Sequence, residues 1–280
     1  MSYYEVFGLS KEPFSTSPDP AFLYLSGEHR AALARLQINI NLRRGLSVII
    51  GDVGTGKTTL SRKLAQVMHK DDNVIFHMML NPYFRTQKQF LGQLAKLFHI
   101  HGAGERSTGT HLIEEIERYL FKKGVTENKT VVLLIDEAQM VPEYVFEVLR
   151  ILLNYETNEY KILQLVLVGQ LELLDRLRKK RNFWDRIALK YVLNPLDRDE
   201  LIKAIEFRLT QAGCSDINQL FTNEALEMIF RHTQGYPRRF TLLCHLALTS
   251  LVMYEKQVVD TEIMTQLIEQ DSMSVPIPEG

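Results

Sequence analysis

Residues Gly51 to Thr58 read Gly-Asp-Val-Gly-Thr-Gly-Lys-Thr, the spacing Gly-x-x-x-x-Gly-Lys-Thr. Each residue type has a task if the ligand is the phosphate chain of a nucleoside triphosphate. Gly51, Gly54 and Gly56 permit backbone angles and a close approach that a Cβ would block. With Asp52, Val53 and Thr55 they form a loop whose amides can turn inward and hydrogen-bond a β-phosphate. Lys57 reaches between the β- and γ-phosphates as a point charge. The Thr58 hydroxyl can ligate Mg²⁺, and Thr59 follows it into a helix whose positive end faces the anion. A Gly-rich turn with a chance lysine is the bland alternative. The flanks argue against it: an apolar strand over Ser47–Ile50 precedes, and a helix from Thr58 to about His69 follows, with Leu60, Leu64 and Val67 on one face.

A second constellation is Asp136-Glu137, at the carboxyl end of the apolar run Val131–Ile135. Such a run reads as a strand buried on both faces of a parallel sheet, and ligands of open α/β sheets bind beyond the carboxyl ends of the strands. Asp136 is suited to hold Mg²⁺, directly or through water, and Glu137 to orient and deprotonate an attacking water. Gln170 ends the next apolar strand, where it could contact the γ-phosphate or the water. An ordinary strand-end glutamine is the competing reading.

The elements that position these groups follow a simple order. A Pro- and aromatic-containing lead, residues 1–27, reads as an extended segment packed on the domain that carries the phosphate loop. Helix is expected over Glu28–Arg44, strand over Asn73–Leu80, helix over Thr86–Ile100, a polar loop over 101–109, and helix over Thr110–Lys123. Then come the Thr130–Ile135 strand, a helix opened by Pro142, a strand over Leu163–Val168, a helix over Leu171–Arg181 with a basic end, and a short strand over Lys190–Leu193. Beyond Asn194-Pro195 the pattern is helical throughout. Asp197 and Glu200 have capping-box spacing, Thr222 and Asp260 read as N-caps, and Gly235-Pro237 opens a helix over Arg238–Tyr254. The expected division is therefore an α/β domain with a parallel sheet over 28–195, a small all-helical domain over 196–271 and a disordered tail over 272–280.

Composition narrows the setting. The chain has 280 residues, 45% of them hydrophobic, enough for one large core or two smaller ones. A formal net charge of −1 gives no global basic field for nucleic acid. No run reaches the roughly 18 apolar residues of a membrane span, and the N-terminus has no secretory pattern. Two cysteines, Cys214 and Cys244, in apolar helical patterns suit a reducing cytoplasm. His99 and His101 lack further ligands at metal spacing and read as a helix-end pair. The run Arg176-Leu177-Arg178-Lys179-Lys180-Arg181 leaves three readings open: a solvated helix end, a subunit contact, or a contact with DNA phosphates.

Several phrases in order carry a resemblance: Phe7-Gly8-Leu9 with Pro13-Phe14, Pro18-Asp19-Pro20 with Phe22-Leu23-Tyr24-Leu25, Gly51–Thr58, Leu134–Gln139, Val166–Gln170, and Gly235-Tyr236-Pro237-Arg238. Over about residues 3–270 the chain resembles the AAA+ ATPases, and within them the ExeA-like (general secretion pathway protein A) group. The resemblance implies a P-loop αβα sandwich followed by a helical lid, with ATP and Mg²⁺ held at a subunit boundary. Arg238 then matches the lid arginine that contacts γ-phosphate from the same subunit, and Gln170 matches the sensor residue at the strand end. Arg186 is the first choice for a finger reaching a neighbour's γ-phosphate, with Arg176 and Arg181 competing. An ATP-dependent homo-oligomer, ring or filament, is implied, acting with a protein partner of a secretion or pilus system. Larger members of the group carry a transmembrane segment and a peptidoglycan-binding region after the ATPase, and this sequence is too short for either. A cytoplasmic protein attached to the inner membrane through a partner is the resulting expectation. The alternative is an ATPase on double-stranded DNA that regulates transposition, similar to the MuB-type target selectors.

Overall fold

The computed structural model describes residues 3–15, 22, 24–100, 108–214 and 216–273. The phrase Pro18-Asp19-Pro20, Leu23, His101 with most of its loop, and tail residues 274–280 lie outside the described residues. The elements in chain order are α1 (Tyr3–Val6), α2 (Gly27–Asn41), β1 (Leu46–Gly51), α3 (Lys57–Met68), β2 (Val74–Met79), α4 (Gln87–Leu97), α5 (Gly109–Phe121), β3 (Thr130–Ile135), α6 (Glu143–Leu152) and β4 (Leu163–Gly169). They continue with α7 (Leu171–Arg178), α8 (Arg181–Trp184), β5 (Ile187–Leu193), α9 (Arg198–Gln211), α10 (Asn223–Thr233), α11 (Pro237–Met253) and α12 (Thr261–Met273). They fall into two units. An α/β unit comprises His29–Val53 and Lys57–Leu193, and a helical unit comprises Met1–Glu28, Gly54–Gly56 and Asn194–Gly280.

In the α/β unit the five strands lie in the order β2-β3-β4-β1-β5, all parallel. Alternate residues of the central strands feed two cores. Val131, Leu133, Ile135, Leu165 and Leu167 face one side, among Leu94, Ile116, Phe146 and Leu149. Val132, Leu134, Val166 and Val168 face the other, among Leu36, Ile40, Leu60 and Leu64. Period-2 burial on both faces explains why β3 reads as an unbroken apolar run from Val131 and why β1 and β4 are apolar but for Ser47 and Gln164 and their terminal glycines. The result is the expected αβα sandwich. The strand order reverses between β1 and β4, the place where an open α/β sheet leaves a crevice beyond its strand ends.

Two details of this unit differ from expectation. The helix expected over Leu171–Arg181 ends at Arg178, and Lys180 takes a non-helical conformation (φ −110°, ψ 75°) before α8 begins. The break lets Phe183 turn into the core, edge-to-face with Phe146 at 5.6 Å. The last strand begins at Ile187 rather than Lys190. It pairs with β1 alone, and an edge strand of mixed burial carries a weaker apolar signal than a central one.

In the helical unit, side-chain caps start the helices where the sequence places them. Asp197 accepts from the Glu200 amide at 2.8 Å, Thr222 from Ala225 at 3.1 Å and Asp260 from Ile263 at 3.0 Å. The capping box is half formed, because Glu200 turns its carboxylate to the Gly27 amide instead of back to Asp197. The last helix runs on to Met273, past its expected end at Gln270.

In the lead segment, Leu9, Phe14 and Phe22 are buried in the core of the helical unit, beside Leu201, Ile205, Phe221, Cys244 and Leu248. Phe14 meets Phe221 edge-to-face at 6.2 Å. The Ser10 amide donates to the Ala212 carbonyl at 2.8 Å, and Arg208 donates to the Pro13 carbonyl at 3.0 Å. Aromatic residues too few to form a core of their own are shared with a small helical bundle that lacks apolar area.

Candidate nucleotide site

The expected residues of the α/β unit collect at the carboxyl ends of β1, β3 and β4. Lys57 and Thr58 open α3, whose amides and positive end face whatever the loop holds. Lys57 is buried, and its ammonium donates to the Gly51 carbonyl at 3.0 Å and the Asp52 carbonyl at 2.8 Å. Burial lowers its pKa, and Glu137, Asp136, Asp52 and Glu172 oppose that shift by favouring the charged form. Thr55 is buried and Val53 exposed at the tip of the loop. Asp52 accepts from the Val53 amide at 2.7 Å.

Asp136 is buried at the end of β3. Burial pushes its carboxyl above the usual carboxylate range, while the Glu137 amide and the Thr58 hydroxyl, both donating to it, pull the other way. Thr58 and Asp136, far apart in sequence, are thus brought close together. Two hard oxygen donors beside a buried lysine are what a divalent oxygen-seeking cation such as Mg²⁺ uses. Glu137 sits next to them in a left-handed conformation (φ 51°, ψ 38°). That conformation is uncommon for a residue with a Cβ and concentrates at functional sites. Gln170 follows β4, which lies between β3 and β1. Its amide donates to Gln139 Oε1 at 3.0 Å.

The arginines fare differently. Arg238 is the second residue of α11 in the helical unit. Within that unit its amide donates to the Gly54 carbonyl at 3.4 Å. Gly54 has φ +84°, and a Cβ there would lie 3.2 Å from Arg238 Cβ. Arg186 hydrogen-bonds to the Asn182 carbonyl at 2.7 Å and to Asn154 Oδ1 at 2.6 Å, rather than to any of the residues above. Arg176 donates to the backbone carbonyls of Gln139 and Val141 and to Glu143. Arg181 is the most open of the three, its side chain 93% exposed beside Asp185.

Several cations of the basic run have acidic neighbours. Arg176 and Lys180 share Glu143, Arg178 pairs with Asp175, and Arg178 also lies over the Trp184 ring. Two residues already named in the sequence bear on the site in a way their motifs do not announce. Gln139 contacts both Glu137 and Gln170, and Arg176 fixes the turn that follows β3. Both act on neighbours that only the folded sheet brings close.

The parallel sheet and the loop-to-helix lysine define a P-loop protein of the AAA+ class. Residues 40–177 match an AAA domain family. The chain is similar to general secretion pathway protein A of Aeromonas hydrophila, with 38% identity over 248 residues, 88% of this chain and 44% of that protein. It therefore spans less than half the length of that relative, and it is within the ExeA-like group that its resemblance lies. Among solved structures it is similar to Cdc6p from Pyrobaculum aerophilum, with TM-score 0.70 and 16% identity over 96% of this chain and 75% of that one. The ORC2 protein of Aeropyrum pernix, solved as ADPNP–ADP complexes, gives TM-score 0.68 and 17% identity over 96% of this chain and 74% of that one. The RuvB branch migration motor of Thermotoga maritima gives TM-score 0.58 and 17% identity over 89% of this chain and 72% of that one. At these identities the likeness is one of fold. Among the described residues no helix is long and apolar enough to cross a membrane.

Proposed function

We propose that the chain binds ATP with Mg²⁺, hydrolyses it, and couples nucleotide state to assembly of a homo-oligomer in a secretion or pilus envelope-assembly system. The convergence of Lys57, Thr58 and Asp136 at the carboxyl ends of β1 and β3 carries the catalytic part of this reading. The envelope role is supported by the similarity to general secretion pathway protein A.

Thr58 and Asp136 would hold the metal. When bound, Mg²⁺ neutralises charge on the β- and γ-phosphate oxygens. The loop from Gly51 to Gly56 cradles the phosphates with its amides, and Lys57 adds a fixed charge. Glu137 takes a proton from the attacking water, and Gln170 contacts that water or the γ-phosphate. Arg238 contacts the γ-phosphate of its own subunit, where a planar guanidinium suits a pair of phosphate oxygens. Arg186 reaches the γ-phosphate of a neighbour, with Arg181 as the competing choice because its side chain is open.

The test is ATP turnover and particle size measured together, with and without double-stranded DNA at physiological salt. Lys57→Ala is expected to remove nucleotide binding or turnover, and normal turnover in that variant would overturn the site. Glu137→Gln is expected to lower turnover roughly 10²- to 10⁴-fold while ATP stays bound and the oligomer persists. A particle size indifferent to both ATP and this change would overturn the coupling to assembly. Assembly on DNA with strong stimulation of turnover would replace the envelope role with the transposition role.

A further inference from the structure

Glu137 needs a fixed direction if it is to act on a water, yet it stands on an irregular stretch. It follows β3, has φ 51°, and leads into a single 3₁₀ turn, Ala138–Met140. A carboxylate on such a turn is held by its side-chain partners or not at all. The partner is Gln139, whose Nε2 donates to Glu137 Oε2. Its other end is also taken, since Oε1 accepts from the Gln170 amide at 3.0 Å. Chemistry settles the orientation. A backbone N–H can only donate, so the atom facing Gln170 must be the oxygen, and the NH₂ is left to face the carboxylate.

The surroundings keep this amide in place. Gly169 is the last residue of β4, and a Cβ there would fall 2.8 Å from Gln139 Oε1 and 3.3 Å from the Gln139 amide nitrogen. The absence of a side chain at Gly169 is what admits the glutamine. From the other side Arg176 donates to the Gln139 and Val141 carbonyls and is itself held by Glu143 and stacked 5.1 Å from the Phe146 ring centroid.

We infer that Gln139 is a positioning residue, which fixes the Glu137 carboxylate to the end of β4 so that Glu137 and Gln170 keep one geometry. This rests on the hydrolytic reading above. Any shift of the β4 end then reaches Glu137 through one amide instead of through the metal or the phosphate loop.

The experiment compares the wild type with Gln139→Ala and Gln139→Glu, measuring kcat for ATP and, separately, the affinity for a fluorescent ATP analogue. Gln139→Ala is expected to lose roughly 10- to 100-fold in kcat with nucleotide affinity within about threefold of wild type. Gln139→Glu has nearly the same volume and keeps an acceptor for Gln170, but turns a carboxylate toward Glu137, so its kcat is expected to fall at least as far. A purely structural role predicts the opposite ranking, with Gln139→Glu near wild type. Wild-type kcat in either folded variant, or a loss of affinity that matches the loss of kcat, overturns the inference. If Gln139→Ala does not fold, Gln139→Glu decides alone by the same criteria. A wild type without turnover would overturn the hydrolytic reading itself, whereas an active wild type with indifferent Gln139 variants overturns only the positioning role.

Discussion

Buried titratable groups in this chain divide by what they can reach. Lys57 and Asp136 lie among opposite charges and donors, so burial and pairing oppose each other at both. His77, on β2, has no such compensation. Its ring packs 4.7 Å from Phe98 and its Nε2 lies 3.3 Å from the Tyr119 hydroxyl. Burial, with His99 and His69 nearby, lowers its pKa to about 4. The unfolded chain takes up a proton near the ordinary histidine value of about 6.5, while the folded chain stays neutral down to its lowered value. Stability contributed by the neutral ring is therefore present above the unfolded pKa and is lost as pH falls from there toward 4. The loss is on the order of 3 kcal/mol. Denaturant unfolding over that pH window is expected to show a flatter slope for His77→Gln than for the wild type. Identical slopes would place the acid sensitivity elsewhere.

At the scale of elements, the informative positions are those where backbones touch. Gly235 precedes α11 with φ +76°, and a Cβ there would fall 1.8 Å from the Leu196 carbonyl oxygen. The Leu196 amide in turn donates to the Gly235 carbonyl at 3.0 Å. Two backbone segments at the root of α11 are thus in direct contact, and Gln234 before them is also left-handed (φ 51°). An alanine at 235 meets both an unfavourable φ and a carbonyl that cannot move alone. Gly235→Ala is expected to cost on the order of 3 kcal/mol or more, seen as a lowered denaturation midpoint. A midpoint within experimental error of wild type would show that the Leu196 segment yields easily. Ordinary capping changes such as Thr222→Ala fall lower, at about 1 kcal/mol.

For the whole molecule, the lead segment belongs energetically to the helical unit. Phe14 is fully buried there, so Phe14→Ala removes a large apolar side chain from a small core. The expected cost is about 3–5 kcal/mol. Hydrogen exchange should locate it: faster exchange is expected in α9, α10 and α11, with the central strands β1, β3 and β4 unchanged. Uniform acceleration across both units would mean that Phe14 supports more than the helical core. At this scale, too, most cations of the basic run have a carboxylate nearby, Glu143, Asp175 or Asp185, while Arg181 stays open.

What could be read from the chain alone were the features written in short contiguous runs. Gly51 to Thr58 needs no distant residue to be recognised, because backbone freedom at three glycines and one lysine at fixed spacing are local properties. The same holds for the apolar runs of the central strands and for the caps at Asp197, Thr222 and Asp260, which hydrogen-bond within one helical turn. The tertiary structure decided what depends on contacts between distant segments. It brought Thr58 close to Asp136, threaded Gln139 between Glu137 and Gln170 over a glycine that leaves room, and ended the seventh helix early so that Phe183 could be buried. It also placed the lead segment in the helical core. Apolar side chains are not selective about which surface they cover, so a sequence shows that Leu9, Phe14 and Phe22 must be buried, and only packing shows against what.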